Sequence, residues 1–150
     1  MLAEQIQTDL TTAMKARDEL TVSVLRMALA AIKEARVSGA AAHELDDGDV
    51  EALLAREAKK RDEAAASFTE GGRPERAERE RAERTVLARY LPAPLTDAEL
   101  AALVDEALAE GGFDSPAQMG PAMKAATTKV AGRADGKAVS VLVRARLASA

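Results

Sequence analysis

Cysteine is absent from the 150 residues of the sequence. This absence excludes a disulfide framework, a thiolate nucleophile and any zinc or iron–sulfur site built on cysteine. Long apolar runs are also absent, since no stretch approaches the ~20 residues that a membrane-spanning helix needs. The N-terminal segment carries Glu4 and Asp9 where a signal peptide needs an apolar run. We therefore expect a soluble cytoplasmic protein with no membrane partner.

Aromatic residues are scarce, because the chain has no tryptophan and only Phe68, Tyr90 and Phe113. Alanine fills many of the apolar positions instead. Strands favour aromatic and β-branched residues, whereas alanine is the strongest helix former. A chain of this length supports one compact domain or two small ones. The composition therefore predicts an all-α protein with a core of thin aliphatic side chains.

Apolar spacing predicts a bundle of about four helices before Pro92 and a small three-helix tail after it. The bundle helices are expected at 2–16, 19–37, 50–70 and from 74 to about 91. Pro92 and Pro94 mark the predicted boundary between an N-terminal domain, 1–92, and a tail domain, 96–150. The tail helices are expected from the capping box Thr96–Glu99 to Gly111, at 120–131 and at 136–148, with a separate turn at 115–119.

Two stretches of the bundle are predicted to be exposed. The segment Ser38–Asp49 has the composition of a surface loop, with Asp46 or Asp49 capping the next helix. Along the fourth helix, Glu75 with Arg79 and Glu80 with Arg84 have the favourable i, i+4 order. Because the charges of this helix nearly cancel, we interpret it as a solvated, self-stabilised helix rather than a nucleic-acid-binding one.

Sequence patterns that carry chemistry are missing. The chain has no phosphate-binding loop ending in Lys-Ser/Thr, no GxGxxG after a strand and no nucleophile elbow. Its single histidine, His43, lies in the predicted surface loop without partners that would fix it for catalysis or metal binding. We therefore predict no catalytic residue, no metal ligand and no cofactor.

Positive charge is concentrated at the C-terminal end of a chain whose formal net charge is −4. Residues 113–150 carry six Lys/Arg against two Asp, whereas residues 97–112 carry five acids and no base. The net negative charge argues against indiscriminate nucleic-acid binding, and we expect no DNA partner. Any contact with a polyanion is expected at the C-terminal end.

The last two predicted helices present these cations opposite their apolar stripes. The stripes are Met119, Met123, Ala126 and Val130 in one helix, and Val139, Leu142, Val143 and Leu147 in the other. Lys124, Lys137 and Arg144 lie on the opposite faces, and the loop between the helices adds Arg133. Free N–H groups at the helix start near Gly136 also favour a phosphate. The alternatives at this point are an anion site and an ordinary solvated face.

The order of short motifs along nearly the whole chain resembles the YqeY family. The matching motifs are Leu25-Arg26-Met27, Lys60-Arg61, Gly72-Arg73 followed by Ala77-Glu78, Glu80 and Glu83, Leu87 with Tyr90-Leu91-Pro92, Met119-Gly120 with Met123, and Gly132-Arg133-Ala134-Asp135-Gly136. That family is the stand-alone relative of the C-terminal region of the GatB subunit of the tRNA-dependent amidotransferase. The resemblance implies an all-α protein whose tail is a tRNA-binding module.

On this hypothesis the tail contacts the phosphate backbone of tRNA or another structured RNA. The expected RNA-binding residues are Lys124, Lys129, Arg133, Lys137 and Arg144. Amidotransferase or aminoacyl-tRNA synthetase components are further partners that the resemblance implies. The chain departs from the family pattern at Pro121, where relatives tend to have a lysine after the glycine. Lys124 lies three positions later, close to the same helix face.

Two other functions stay open. The tail could be a helical protein-interaction module without RNA binding, which would suit the acidic overall charge. Alternatively, the family-level label of a carbon–nitrogen ligase with glutamine as amido donor would make the chain an enzyme. We interpret that label as belonging to the larger amidotransferase, because the sequence offers no catalytic centre of its own.

Overall fold

A computed structural model describes residues 1–39, 41 and 43–149 of the chain. Within these residues the secondary structure consists of seven α-helices and one short 3-10 turn, without any strand. The predicted all-α class is therefore confirmed. The helices are α1 (Leu2–Ala16), α2 (Glu19–Val37), α3 (Asp47–Glu70), α4 (Pro74–Ala88), α5 (Asp97–Gly111), α6 (Met119–Val130) and α7 (Gly136–Ser149), and the 3-10 turn is Pro116–Gln118. None of the helices in the described ranges has the length and apolar character needed to cross a membrane.

The turn between α1 and α2 is built on two adjacent residues. Arg17 adopts a left-handed conformation with φ 56°, which ends α1. Asp18 then caps α2, since its carboxylate accepts hydrogen bonds from the backbone N–H and the hydroxyl of Thr21. A short acidic side chain at this position satisfies an N–H that has no partner within the helix. The predicted break between the first two helices is thereby confirmed.

Helix α3 begins at Asp47, three residues before its predicted start at residue 50. Asp46 and Asp49 form a reciprocal cap, in which each carboxylate accepts a hydrogen bond from the other residue's backbone N–H. The cap satisfies the first free N–H groups and so extends the helix backwards. The predicted loop Ser38–Asp49 is thus shorter, and Ala40 and Ala42 within it lie outside the described residues.

Helix α4 ends at Ala88, so the prediction of a helix to about residue 91 is wrong. From Arg89 to Leu91 each backbone N–H bonds to the carbonyl three residues earlier instead of four. The α conformation is disfavoured directly before a proline, and Pro92 follows this turn. The predicted ion pairs of α4 also differ: Arg79 pairs with Glu83 and Arg84 pairs with Asp62 of α3.

The described helices belong to two compact units, Met1–Leu91 and Pro92–Ala150. In the first unit, α1 packs against α2, and α3 forms an antiparallel hairpin with α4. Buried aliphatic residues from all four helices form its core together with Tyr90, which follows α4. The aliphatic members are Ile6, Leu10, Val24, Leu25, Ala28, Ile32, Val50, Leu53, Leu54, Ala58, Val86 and Leu87. The predicted domain limits, 1–92 and 96–150, stay a prediction.

The second unit is built from α5, α6, α7 and the 3-10 turn. Thr96 and Glu99 form the predicted capping box at the start of α5. The Pro116–Gln118 turn precedes α6 as a separate element, as predicted. Pro121 is the third residue of α6, and the N–H groups of a first helical turn have no intrahelical acceptor. The proline therefore costs α6 no hydrogen bond.

A separate aliphatic core holds the second unit together. It consists of Leu100, Val104, Ala107, Leu108, Ala122, Ala126, Val130, Val139, Val143 and Leu147. In α6, Ala122, Ala126 and Val130 are buried, whereas Met119 and Met123 of the predicted stripe are only partly buried at the margin. The small side chain of Ala122 lets α5 approach α6 closely, and the two methionines cover the flank.

Candidate nucleic-acid interface

The second unit carries all five cations predicted to bind RNA. Lys124 and Lys129 lie on α6, Arg133 lies in the turn between α6 and α7, and Lys137 and Arg144 lie on α7. The structure gives these residues three different environments. Lys129 is bound to acids of α5, Arg133 is bound to a backbone carbonyl, and the other three are exposed.

Lys129 is held by two glutamates of α5. Its ammonium Nζ lies 2.8 Å from both carboxylate oxygens of Glu110 and 3.1 Å from Oε1 of Glu106. The hydrogen bonds that its ammonium donates to Glu110, and then to Glu106, raise the pKa of Lys129 above its ordinary value, so the ammonium stays charged. The two carboxylates thus hold the ammonium from one side. Lys129 thus joins α6 to α5.

Arg133 fastens the beginning of the unit to the turn between α6 and α7. Its Nε and Nη2 donate hydrogen bonds of 3.3 and 3.2 Å to the carbonyl oxygen of Ala93. The backbone N–H of Leu95 donates to the carbonyl oxygen of Arg133 at 3.1 Å, which adds a second tie between the same segments. A single guanidinium makes both side-chain bonds because its donors are arranged as a rigid fork. Arg133 therefore has a structural role in the isolated chain.

Lys124, Lys137 and Arg144 are exposed, and none of them forms an ion pair with any residue in the described ranges. A neighbouring arginine shows which way the α7 residues face. Arg146 binds Oδ1 of Asp105 on α5 through its Nε at 2.7 Å. Because a helix turns about 100° per residue, Lys137 and Arg144 lie roughly 160–180° around α7 from Arg146. These two cations therefore face away from α5.

The same argument places Lys124 on the side of α6 that faces away from α5. It precedes Lys129 by five residues, which separates the two side chains by roughly 140° around the helix. Lys129 points to α5, so Lys124 does not. The exposed basic surface of the unit, consisting of Lys124, Lys137 and Arg144, thus lies away from the acidic helix. Such a surface can attract phosphate groups, because none of its three cations is paired with an acid of α5.

Sequence reasoning placed the cations on the correct elements but missed their internal partners. The ion pair Arg146–Asp105 joins residues 41 positions apart, and Lys129 reaches Glu110 over 19 positions. A signal that could have indicated such pairs was the acidic segment 97–112 directly before the basic segment 113–150. Only the packing of α5 against α6 and α7 decides which cations are paired and which stay exposed.

The first unit contains two open clefts between its helices. One, of about 570 Å³, is lined by Met14, Arg17, Val22 and Arg26 among others. The other, of about 360 Å³, lies beside Tyr90, whose hydroxyl donates a 2.6 Å hydrogen bond to Oδ2 of Asp9. In the second cleft, the Tyr90 hydroxyl and the Asp9 carboxylate are therefore bonded to each other.

His43 is exposed, as predicted for a surface-loop residue, and its backbone N–H donates to the carbonyl of Arg36. Within residues 1–39, 41 and 43–149, no three acidic or histidine side chains lie close enough to share a metal ion.

The sequence matches the model of a known protein family. The profile of the family described as "Yqey-like protein" matches residues 3–147, which is nearly the whole sequence. No curated protein matches the chain.

Proposed function

The chain belongs to the Yqey-like family, and from this premise we propose that its second unit binds structured RNA, with tRNA as the expected ligand. The observation that carries the proposal is the exposed basic surface of Lys124, Lys137 and Arg144 on a chain with a net charge of −4. These three cations have no acidic partner among the described residues, and they lie away from the acids of α5. The family resemblance to an amidotransferase tail supports tRNA as the RNA.

The proposed contacts are made to phosphates rather than to unpaired bases. Recognition of unpaired bases relies on aromatic side chains that stack on them, and the second unit has only Phe113, which packs against its core. Lys137 lies in the first turn of α7, where the free N–H groups and the helix dipole also favour an anion. Phosphate contacts of this kind position a folded RNA by its surface geometry.

We propose that this surface binds RNA without chemically altering it. In our proposal the protein presents or positions tRNA for an enzyme with which it acts, and the amidotransferase or aminoacyl-tRNA synthetase components are the first partners to test. The binding step is the part that can be measured with the chain alone.

The test is equilibrium binding of fluorescently labelled, unfractionated tRNA at about 50 and 200 mM salt, a range over which phosphate-dominated affinities fall steeply. The test variant is K124A/K137A/R144A. The matched control is K15A/K33A/K59A, which removes three exposed cations of the first unit and changes the net charge equally. We expect the test variant to bind at least roughly tenfold more weakly than wild type, with a salt slope lower by about two. The control should retain most of the affinity.

Two results would overturn the RNA proposal. One is no binding by the wild type at the lower salt concentration. The other is an equal loss of affinity in the test and control variants, which would mean that overall charge alone governs binding. In either case a protein-interaction function for the tail becomes the better hypothesis, and partners that survive nuclease treatment and high salt would be sought.

A further inference from the structure

Lys129, Glu106 and Glu110 form a charge cluster where α6 packs against α5. The two glutamates are one turn apart on α5, and both are more exposed than the lysine between them. The side-chain exposure is 24% for Lys129, 54% for Glu106 and 63% for Glu110. One ammonium and two carboxylates leave this cluster with a net charge of −1. A phosphate that approaches Lys129 therefore meets the carboxylates first.

The geometry commits the Lys129 ammonium to two carboxylates. Its Nζ contacts three carboxylate oxygens of Glu110 and Glu106 at 2.8–3.1 Å. A phosphate that binds Lys129 has to come close to both carboxylates, whose negative charges repel it. This arrangement differs from that of Lys124, Lys137 and Arg144, whose donors are exposed.

We propose that Lys129 does not contact the RNA and is instead a positioning residue, which offsets part of the negative charge of Glu106 and Glu110 so that this cluster forms the edge of the RNA surface. This inference rests on the proposed function and goes beyond it. The carboxylates limit how far the RNA backbone can extend toward α5, and they weaken binding relative to an uncharged surface. Removing Lys129 exposes two repelling carboxylates, whereas removing the carboxylates releases a fourth cation for RNA.

The test compares the salt dependence of tRNA binding for four proteins: wild type, K129A, E106Q/E110Q and K129A/E106Q/E110Q. Each phosphate contact contributes roughly 0.7–0.9 to the slope of log K against log salt concentration. In the wild-type background we expect K129A to bind tRNA a few-fold more weakly with an unchanged slope. With both glutamates replaced, the same substitution should lower the slope by roughly 0.7–0.9, because the freed lysine then binds a phosphate.

The E106Q/E110Q variant alone should bind tRNA roughly two- to tenfold more tightly than wild type, the range expected for removing two surface charges near the ligand. The matched control is E63Q/E70Q, which removes two exposed acids of α3 in the first unit and changes the net charge by the same amount. The control should bind almost as the wild type does.

A lower slope for K129A in the wild-type background would overturn the inference, because it would show that Lys129 contacts the RNA. Equal affinities for E106Q/E110Q and E63Q/E70Q would overturn it too, while leaving the proposed function intact. Failure of the wild type to bind tRNA would overturn the proposed function and, with it, the claim that the cluster borders an RNA-binding surface.

The ion pairs of Lys129 with Glu106 and Glu110 can also be tested without RNA, by thermal unfolding of the free protein. K129A should lower the Tm of the free protein, and the same substitution should have no effect on Tm once Glu106 and Glu110 are glutamine. An equal change in Tm in the wild-type and E106Q/E110Q backgrounds would show that Lys129 does not stabilise the protein through these two glutamates.

Discussion

Tyr90 and Asp9 form the longest-range side-chain hydrogen bond of the first unit among the described residues, since they are 81 positions apart. The tyrosine is 8% exposed and lies in the core, with its hydroxyl directed at the Asp9 carboxylate. Burial, followed by the hydrogen bond to Asp9, raises the pKa of Tyr90 well above its ordinary value of 10.0. A group of this kind stays protonated in the folded state at a pH where the unfolded chain has already lost the proton.

The stability of the first unit should therefore fall as pH rises above about 10. Below that pH both the folded and the unfolded state carry protonated Tyr90, so the contribution is fully present. Above it only the unfolded state ionises, which favours unfolding by up to about 1.4 kcal/mol per pH unit. The measurement is chemical unfolding of wild type and Y90F between about pH 8 and pH 11, and the stability difference between them is followed. That difference should shrink at alkaline pH, whereas a constant difference would contradict the raised pKa.

At the same scale, the sequence predicted where the cations of the tail lie but could not predict what they touch. Helical spacing placed Lys124, Lys137 and Arg144 on polar faces, and each is exposed in the structure. Lys129 and Arg133 have the same sequence character, yet one binds Glu110 and the other binds the carbonyl of Ala93. Those partners are set by the packing of distant segments, for which a local charge pattern carries no signal.

The hairpin of α3 and α4 has two parts with different packing. Its proximal part contributes Ala58 and Val86 to the core of the first unit. In its distal part, residues 62–82, the fully buried side chains are Ala65 and Ala77, and neither belongs to that core. Ion pairs and a cation–π contact between Arg76 and Phe68 cover the surface there. Surface ion pairs contribute little to stability, so this part of the hairpin is held weakly.

We therefore expect the distal part of the hairpin to open without global unfolding. Native-state hydrogen exchange should show protection roughly 10²-fold lower for amides of residues 62–82 than for those of residues 24–28 in α2, where Val24, Leu25 and Ala28 are buried. The variant A77G should weaken the protection of the distal part while the global unfolding midpoint stays almost unchanged. The matched variant A28G, at a buried position of α2, should lower the midpoint by an amount corresponding to about 1 kcal/mol. Equal protection along the whole hairpin would show that it unfolds only with the rest of the unit.

At the scale of helices, the sequence predicted the number and the type of the elements, and it failed at some of their ends. Helix starts with recognisable caps, such as Thr96–Glu99, were located correctly. The start of α3 was missed because either Asp46 or Asp49 could have been the cap, and the structure uses both. Arg84 was predicted to pair with Glu80, but the neighbouring helix brings Asp62 to 3.1 Å, and that distance depends on tertiary packing.

The molecule as a whole has two separate cores, one in each compact unit. We therefore expect each unit to fold alone. The second unit is small, and domains near 60 residues bury just enough surface to be stable. Its stability should therefore depend on the residue at which it begins. The segment before α5 belongs to it: Leu95 packs against its core, the Leu95 N–H donates to Arg133, and the Arg133 guanidinium binds the carbonyl of Ala93. A tail that starts at residue 96 would lose all of these contacts.

We thus predict that a fragment of residues 92–150 folds into a helical unit and that a fragment of residues 96–150 is less stable by about 1–3 kcal/mol, as expected for a lost apolar contact and lost hydrogen bonds. Circular dichroism during thermal and urea unfolding measures the difference. The matched control adds the same four residues to the other unit: fragments 1–91 and 1–95 should be equally stable, because those residues pack in the second unit. If fragments 92–150 and 96–150 have the same free energy of unfolding, the hydrogen bonds between Arg133 and Ala93 do not contribute to stability. If 92–150 is unfolded by itself, the second core depends on the rest of the chain, and RNA binding would have to be measured on the full-length protein alone.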